Sequence, residues 1–400
     1  MSRKTSLAVF GVSLVLAVAL MAGAAWPRQT PVNHDPARQL GILAEVYQHI
    51  NDDYVTTPNL PKVSEGALHG LLASLDADSS YLDRQQYRNY LAEQANPPAG
   101  AIEALISKRA GYADVVDVRP GGDAAKAGLV RGDFVEAIGN VGTHDLSMEA
   151  ISRRLLGAPG TTVTLNVVHM HHSNPVPVVI TRVAYSMAPL AVSRHGGVGV
   201  IAVPDFDRGR TAQIAAAVKS LRRQGASALI LDLRDCGGGS YAEAEQTANL
   251  FLNHGTITYL EGQTVARVTT TAEAAKAIDA NGRLEVLVNN GTFGPAELAA
   301  AALQQNARAQ VIGDPTFGEG SVQKLIPVGD GSALWLTVAR YYSPKGKAIQ
   351  DGITPNVAQV RYAGALPDLD YPPEGVTGPL PDLQMQKALA LAESPAAPAK

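Results

Sequence analysis

Cysteine is nearly absent from this chain. A lone Cys236 excludes an intramolecular disulfide. With no CxxC or HExxH pattern, nothing marks a metal site, and no cofactor is expected. An excess of charge is also missing. Thirty-three Lys and Arg against 37 Asp and Glu leave a net charge of −4, which gives no electrostatic footprint for nucleic acid. Internal repeats are lacking as well. The fourth absence is local. LEVLV (284–288) reads as a buried strand, and NNGTFGPAELAAAALQQN (289–306) as a turn entering a helix. Gly294 suits the cap, Pro295 the first helical position, and Glu297 the acid-favouring first turn. Hydrolases often hold a nucleophile at such a turn, because helix-end amides stabilise an oxyanion beside it. This turn has neither Ser nor Cys, and its one hydroxyl is Thr292.

What is present fits a folded protein of two or three domains: 400 residues, 46% hydrophobic and 18% charged. Arg3 and Lys4 precede an uncharged run from Thr5 to Trp26. Residues 1–30 therefore read as a secretory signal, with Ala22-Gly23-Ala24 for cleavage, or as a retained membrane anchor. The lack of a nearby Cys excludes a lipid-modified N-terminus. Either way, the rest is expected outside the cytoplasmic membrane: periplasmic or otherwise extracytoplasmic.

Residues 35–96 predict a helical region, with Leu40, Leu43, Val46 and Ile50 on one face and Leu68, Leu71, Leu72 and Leu75 on another. NPPAG (96–100) marks its end. Residues 97–185 read as short strands and turns. From 186 to 361 strands alternate with helices: VGVIAV, TAQIAAAVKSLRRQG, ALILDLR before CGGGS, LEVLV, AQVIG and SALWLTVARYY. That order predicts an α/β layered sheet. Residues 362–400 are Pro-rich with one short helix near 382–392, and SPAAPAK reads as a frayed end.

AKAGLVRGDFVEAIG (125–139) resembles a PDZ domain, a module that adds an extended peptide as a strand and holds its terminal carboxylate on backbone amides. GAIEAL matches the carboxylate loop at Gly100, Ala101 and Ile102, with Ala101 where glycine is usual. Together with EVYQHINDDYV, EGALHGLLASLDADSSYLD, LILDLRDCGGGS, ALQQNARAQVIGDPTFGEGSVQ and DGSALWLTVARYYSPKGKAIQDGITPNV, the chain from about 40 to 392 resembles the S41 C-terminal processing peptidases. The resemblance implies a ClpP/crotonase-like core and a Ser–Lys catalytic pair. The family's serine lies in SASASE, three residues before the Glu, and its lysine in FGKG, 25 residues after the serine. Carried onto this chain, the nucleophile position is Gly294 and the lysine position is Glu319, at the same spacing. The helper Gln323 and the oxyanion glycines Gly238 and Gly239 persist.

A serine hydroxyl needs a neighbouring base to take its proton, a neutral lysine in the pair the resemblance implies, and glycine has nothing to attack with. Because 292–296 is rebuilt as a whole, a laboratory double mutant is unlike it. Three readings stay open. One is a pseudopeptidase that binds peptide or protein C-termini. Another is an active serine-type peptidase with a displaced nucleophile, for which Thr292, Ser240 and Ser321 are the candidates, with Lys324 a weak base. The last is a structural subunit assembling with itself, an active relative or an adaptor. Thr292 is expected to cap its helix, Ser240 to be a turn residue, Lys324 to point away from Gln323, and Met170-His171-His172 to form a solvated turn.

Overall fold

The structure is a computed structural model, and it describes residues 36–109, 111–144, 146–170, 172–365 and 380–394. The leader (1–30), His171 and the SPAAPAK end lie outside the described residues. Among the described residues, no helix is long and apolar enough to cross a membrane.

Two compact units are present, divided after Ser64. In the first, helix α1 (Pro36–Asp53) leads to the start of α2 (Leu60–Ala73), and the Tyr47 hydroxyl donates to the Leu60 carbonyl at 3.2 Å. The apolar face of α1 is largely uncovered, with Leu40 at 65% exposure.

In the second unit the expected helical region is interrupted. Strand β1 (Ser80–Leu82) precedes α3 (Arg84–Ala95) and pairs with Ala333–Trp335 of the core. Asp83 starts α3 with a reciprocal capping box: its carboxylate accepts from the Gln85 and Gln86 amides, and the Gln86 side chain accepts from the Asp83 amide.

The PDZ-like region follows as β2 (Gly100–Ala101), β3 (Ala104–Arg109), β4 (Tyr112–Val118), α4 (Asp123–Lys126), β5 (Phe134–Ile138), β6 (Val141–Gly142), α5 (Met148–Leu155), β7 (Thr162–Val168), β8 (Val176–Thr181) and β9 (Val183–Ala184). Its sheet runs β3-β4-β5-β7-β8, which leaves β3 at one edge. Ser147 caps α5 through the Ala150 amide, and Ile151 and Leu155 turn inward against Val135, Leu165 and Ile180.

The core comprises β10 (Ala191–His195), β11 (Val198–Ala202), α6 (Arg210–Arg223), β12 (Ala228–Asp232), α7 (Tyr241–Phe251), β13 (Thr256–Glu261), β14 (Val268–Thr271), β15 (Arg283–Val288), α8 (Pro295–Gln305), β16 (Gln310–Gly313), β17 (Ser321–Pro327), β18 (Ala333–Tyr342), β19 (Val357–Ala358) and α9 (Leu383–Glu393). Strands β11, β12, β15, β16 and β19 are parallel, with β10 antiparallel at the edge. Alternate residues bury both faces, as an internal parallel sheet requires. Leu229, Leu231 and Val286 face α6, α7 and α8, while Ile230, Leu287 and Ile312 face Ala388 and Ala392 of α9. A second, antiparallel sheet holds β1, β18, β13 and β14, with β17 paired to β18.

Candidate functional site

Neighbouring strands β12 and β15 end in two turns, 233–240 and 289–294, each of which feeds a helix. In open α/β sheets such carboxyl-end turns form ligand crevices. The turns are stitched together. Asn289 is fully buried. Its side-chain oxygen accepts from the Asp235 and Gly291 amides at 3.0 Å each, and its nitrogen donates to the Asp235 carboxylate at 2.8 Å. The Phe293 amide donates to the Cys236 carbonyl at 3.0 Å. Thr292 is fully buried as well. It accepts from the Asn289 amide and donates to the Leu233 carbonyl at 2.7 Å. Its hydroxyl thus joins the two turns and does not cap α8 as expected: the cap position is Gly294.

Gly294 has φ 56° and ψ −110°, the left-handed side of the map, where a side chain adds strain. A sharp strained turn from strand to helix is what lifts a nucleophile out of a sheet; here the turn is kept without a side chain. A Cβ at Gly294 would lie 3.5 Å from the Tyr241 hydroxyl, which donates to the Glu319 carbonyl at 3.0 Å. The Tyr241 ring stacks on Tyr341 at 4.1 Å.

Glu297 binds the two segments together. Its fully buried carboxylate accepts from the amides of Gly294 (2.8 Å), Gly318 (2.7 Å) and Glu319 (2.8 Å) and from the Thr316 hydroxyl. Burial pushes its pKa up to about 8, against these four hydrogen bonds. Positions 294 and 319 are thereby held on one carboxyl group, whatever side chains they carry.

Glu319 bends back on its own strand. Its carboxylate accepts from the Ser321 amide at 2.9 Å and is hydrogen-bonded to the Ser321 hydroxyl. Ser321 Oγ also lies 3.0 Å from an Asp78 carboxylate oxygen, and Gln323 Nε2 donates to it at 2.7 Å. Burial first and the Asp78 charge second raise Glu319 to about 6; burial also raises Asp78. Ser321 and Gln323 share one face of β17, and the exposed Lys324, the next residue, lies on the opposite face. Ser240 caps α7 through the Ala242 amide. Among the described residues, no group of three His, Cys, Asp or Glu could hold a metal ion.

Gly238 and Gly239 have φ of 84° and 92°. A Cβ on Gly239 would overlap the Phe206 main chain, with which it forms a parallel bridge. These glycines line a cavity of about 550 Å³, whereas Glu319, Ser321 and Gln323 line a cleft of about 460 Å³. Leu105 of β3 lines both, and it sits so close that a Cβ on Gly237 would overlap it.

The expected carboxylate loop needs correction at Gly100. Its amide donates to the Gly157 carbonyl at 2.9 Å and its carbonyl accepts from the Gly157 amide, so that amide is already spent. Ala101 pairs with Val183, and the Ile102 side chain is buried in the PDZ-like core. Asp78, Tyr241 and the contact of α3 with α5 escaped sequence reasoning. In that contact, Arg153 makes two 2.7 Å hydrogen bonds to Glu93.

Comparison with known proteins agrees with this architecture. Residues 197–359 match the model of peptidase family S41, and residues 115–168 match a PDZ domain. A carboxyl-terminal-processing protease of Synechocystis sp. is 32% identical over 328 residues, covering 78% of this chain and 76% of the relative. A carboxy-terminal-processing protease of Bartonella bacilliformis is 29% identical over 362 residues, covering 89% and 82%. The solved structure of a photosystem II D1 C-terminal processing protease superposes with a TM-score of 0.65 at 24% identity, over 80% of this chain and 93% of that one. The chain belongs to peptidase family S41, among the carboxyl-terminal-processing proteases, and carries that family's PDZ domain and core.

Proposed function

We propose that this protein is an extracytoplasmic S41-family scaffold that binds peptide or protein segments through its PDZ domain and does not cleave them. One observation carries the reading. At the strand-to-helix turn where a nucleophile would stand, Gly294 offers no side chain, and the position 25 residues on holds a carboxylate, Glu319, engaged with Ser321 and Asp78. A carboxylate there also opposes the negative charge that acyl transfer develops. The edge strand β3 beside α5 supports strand addition by a peptide, and the charged leader-like N-terminus supports export. Assembly with itself, an active relative or an adaptor is compatible with this role.

Purified protein is expected to leave unfolded substrates intact and to resist serine-directed phosphonates, tested beside an active relative. Stoichiometric labelling would overturn the reading. Ser321 is the specific alternative, since its hydroxyl lies between two carboxylates that could serve as a base. Labelling abolished by Ser321→Ala would establish it as the nucleophile.

A further inference from the structure

We propose that the cleft beside Glu319 is a subsite for a lysine or arginine side chain, so that the ligand is a basic peptide segment. This rests on the peptide-binding reading above and names the ligand's class.

Four carboxylates line the cleft, Asp78, Glu93, Glu149 and Glu319, against one lining cation, Arg153. That cation is already taken. Glu93 accepts two of its hydrogen bonds and the Gln86 carbonyl a third, and Glu149 approaches it at 3.4 Å. The remaining charges are under-compensated in two independent places. At the Glu319 end, both Asp78 and Glu319 lie within hydrogen-bonding distance of Ser321 Oγ. A hydroxyl has one proton, so it can serve one of the two, and Gln323 occupies the same oxygen as a donor. Arg340 influences Asp78 from β18, with Asp76 opposing it, and makes no ion pair with Asp78 within 4.0 Å among the described residues. At the α5 end, the Glu149 side chain is only 9% exposed; its charge partner is Arg153 Nε at 3.4 Å, the nitrogen that already donates to Glu93 at 2.7 Å, and neither carboxylate oxygen makes a close hydrogen bond. Buried carboxylates that share one hydroxyl proton or lack a hydrogen-bond donor are costly, and a ligand cation relieves that cost.

The walls suit such a side chain. Leu105, Met148, Leu156 and Trp335 offer apolar surface for the methylene stem, and the carboxylates meet its charged head. A peptide's carboxyl terminus would be repelled from this end of the cleft. The edge strand β3 contributes Leu105, Ile106 and Ser107 to the same wall, which puts a strand-adding peptide within reach of the carboxylates.

The test is fluorescence anisotropy on the full chain with short labelled peptides that are identical except at one central residue: lysine, its neutral isostere norleucine, or glutamate. Lysine is expected to bind at least about tenfold more tightly than norleucine, the scale of one close charge pair, and glutamate more weakly than both. In Glu319→Gln and in Asp78→Asn, with folding checked by circular dichroism, the lysine advantage is expected to shrink to about threefold or less. Equal binding of lysine and norleucine peptides by the wild-type chain overturns the basic subsite while leaving peptide binding intact, and needs no variant. An undiminished lysine preference in both variants also overturns it. If none of the three peptides binds, the peptide-binding reading falls and the subsite with it.

Discussion

Glu319 is held by its surroundings at three separate points. Its amide is held by Glu297, its carbonyl by Tyr241, and its carboxylate by Ser321. The amide and carbonyl of this position are therefore held by Glu297 and Tyr241 whatever side chain it carries. The carboxyl group nonetheless costs something. Burial and Asp78 hold its pKa near 6, above the ordinary 4.5. Between those two values the folded chain retains a proton that the unfolded chain has released, so stability falls as pH rises through the window. Below it the group contributes nothing, and above it the full penalty is present. The charged groups facing it are Asp78 and, behind that, Asp76 and Arg340; Gln350 and Ser321 donate to it, and the Tyr241 ring lies alongside. Glu319→Gln is expected to raise the unfolding free energy at neutral pH by roughly 1 kcal/mol after solvent screening, and to leave it unchanged below a pH of about 4. A denaturant titration at both pH values checks this; equal effects at the two would remove the titration as the cause.

At the scale of elements, the turn and its helix were legible because their signals are local. LEVLV is an unbroken apolar run, and Gly294-Pro295-Ala296-Glu297 is a complete helix start. The alternating strands and helices of the core were legible for the same reason, as was α9. What could not be read depends on partners distant in sequence. Strand β1 has three residues and exists because Ala333–Trp335 presents an edge to it. Thr292 reads as a cap from its position, but the Leu233 carbonyl of the neighbouring turn takes its hydroxyl. Gly100 reads as a ligand-binding loop, but Gly157 takes its amide. The same coupling bears on the test of the proposed non-cleaving role. Gly294→Ser adds a Cβ at φ 56° beside the Tyr241 hydroxyl, and is expected to cost about 1–3 kcal/mol while giving no peptidase activity. Glu319→Lys alone is expected to be inactive, for want of a nucleophile. The pair supplies both groups, and replacing 292–296 by SASAS with Glu319→Lys also removes Phe293, which packs on Phe317 and lines the cleft. Weak cleavage of an unfolded substrate is expected from the pair and more from the full replacement, since misplacement by about 1 Å can cost about a hundredfold. A folded full replacement with no cleavage would count against the assignment of Gly294 and Glu319 as the two catalytic positions.

For the second unit as a whole, the PDZ domain is fastened to the rest at two charged points on opposite sides of Leu105's wedge. Arg153 of α5 grips Glu93 of α3 with two hydrogen bonds and also takes the Gln86 carbonyl at 3.2 Å. Arg131 is hydrogen-bonded to Asp235, directly before the Cys236–Gly239 turn. Asp235 has φ 52°, a conformation that a non-glycine residue keeps only when its surroundings impose it. Here they do: Asn289 donates to its carboxylate at 2.8 Å, and Arg361 pairs with it at 3.1 Å. Those cations hold its pKa below the ordinary range despite burial. The PDZ domain, the glycine turn and the segment after β19 thus meet on one carboxylate. Exposed ion pairs contribute little, but both arginines are mostly buried, at 14% and 19% exposure, so removing them takes the close cation from Glu93 and leaves Asp235 with only Asn289 and Arg361. Arg131→Gln with Arg153→Gln is therefore expected to loosen the PDZ domain from the core without unfolding either. Each has its own buried cluster, around Leu165 and Ile180 in one and Leu229, Leu231 and Phe251 in the other. Hydrogen exchange would read this as faster exchange at the β2–β9 ladder and in the 237–239 turn, with β7, β12 and β15 still protected. Unchanged exchange in the double variant would mean that the apolar contact of Leu105 on Gly237 suffices to hold the domain in place.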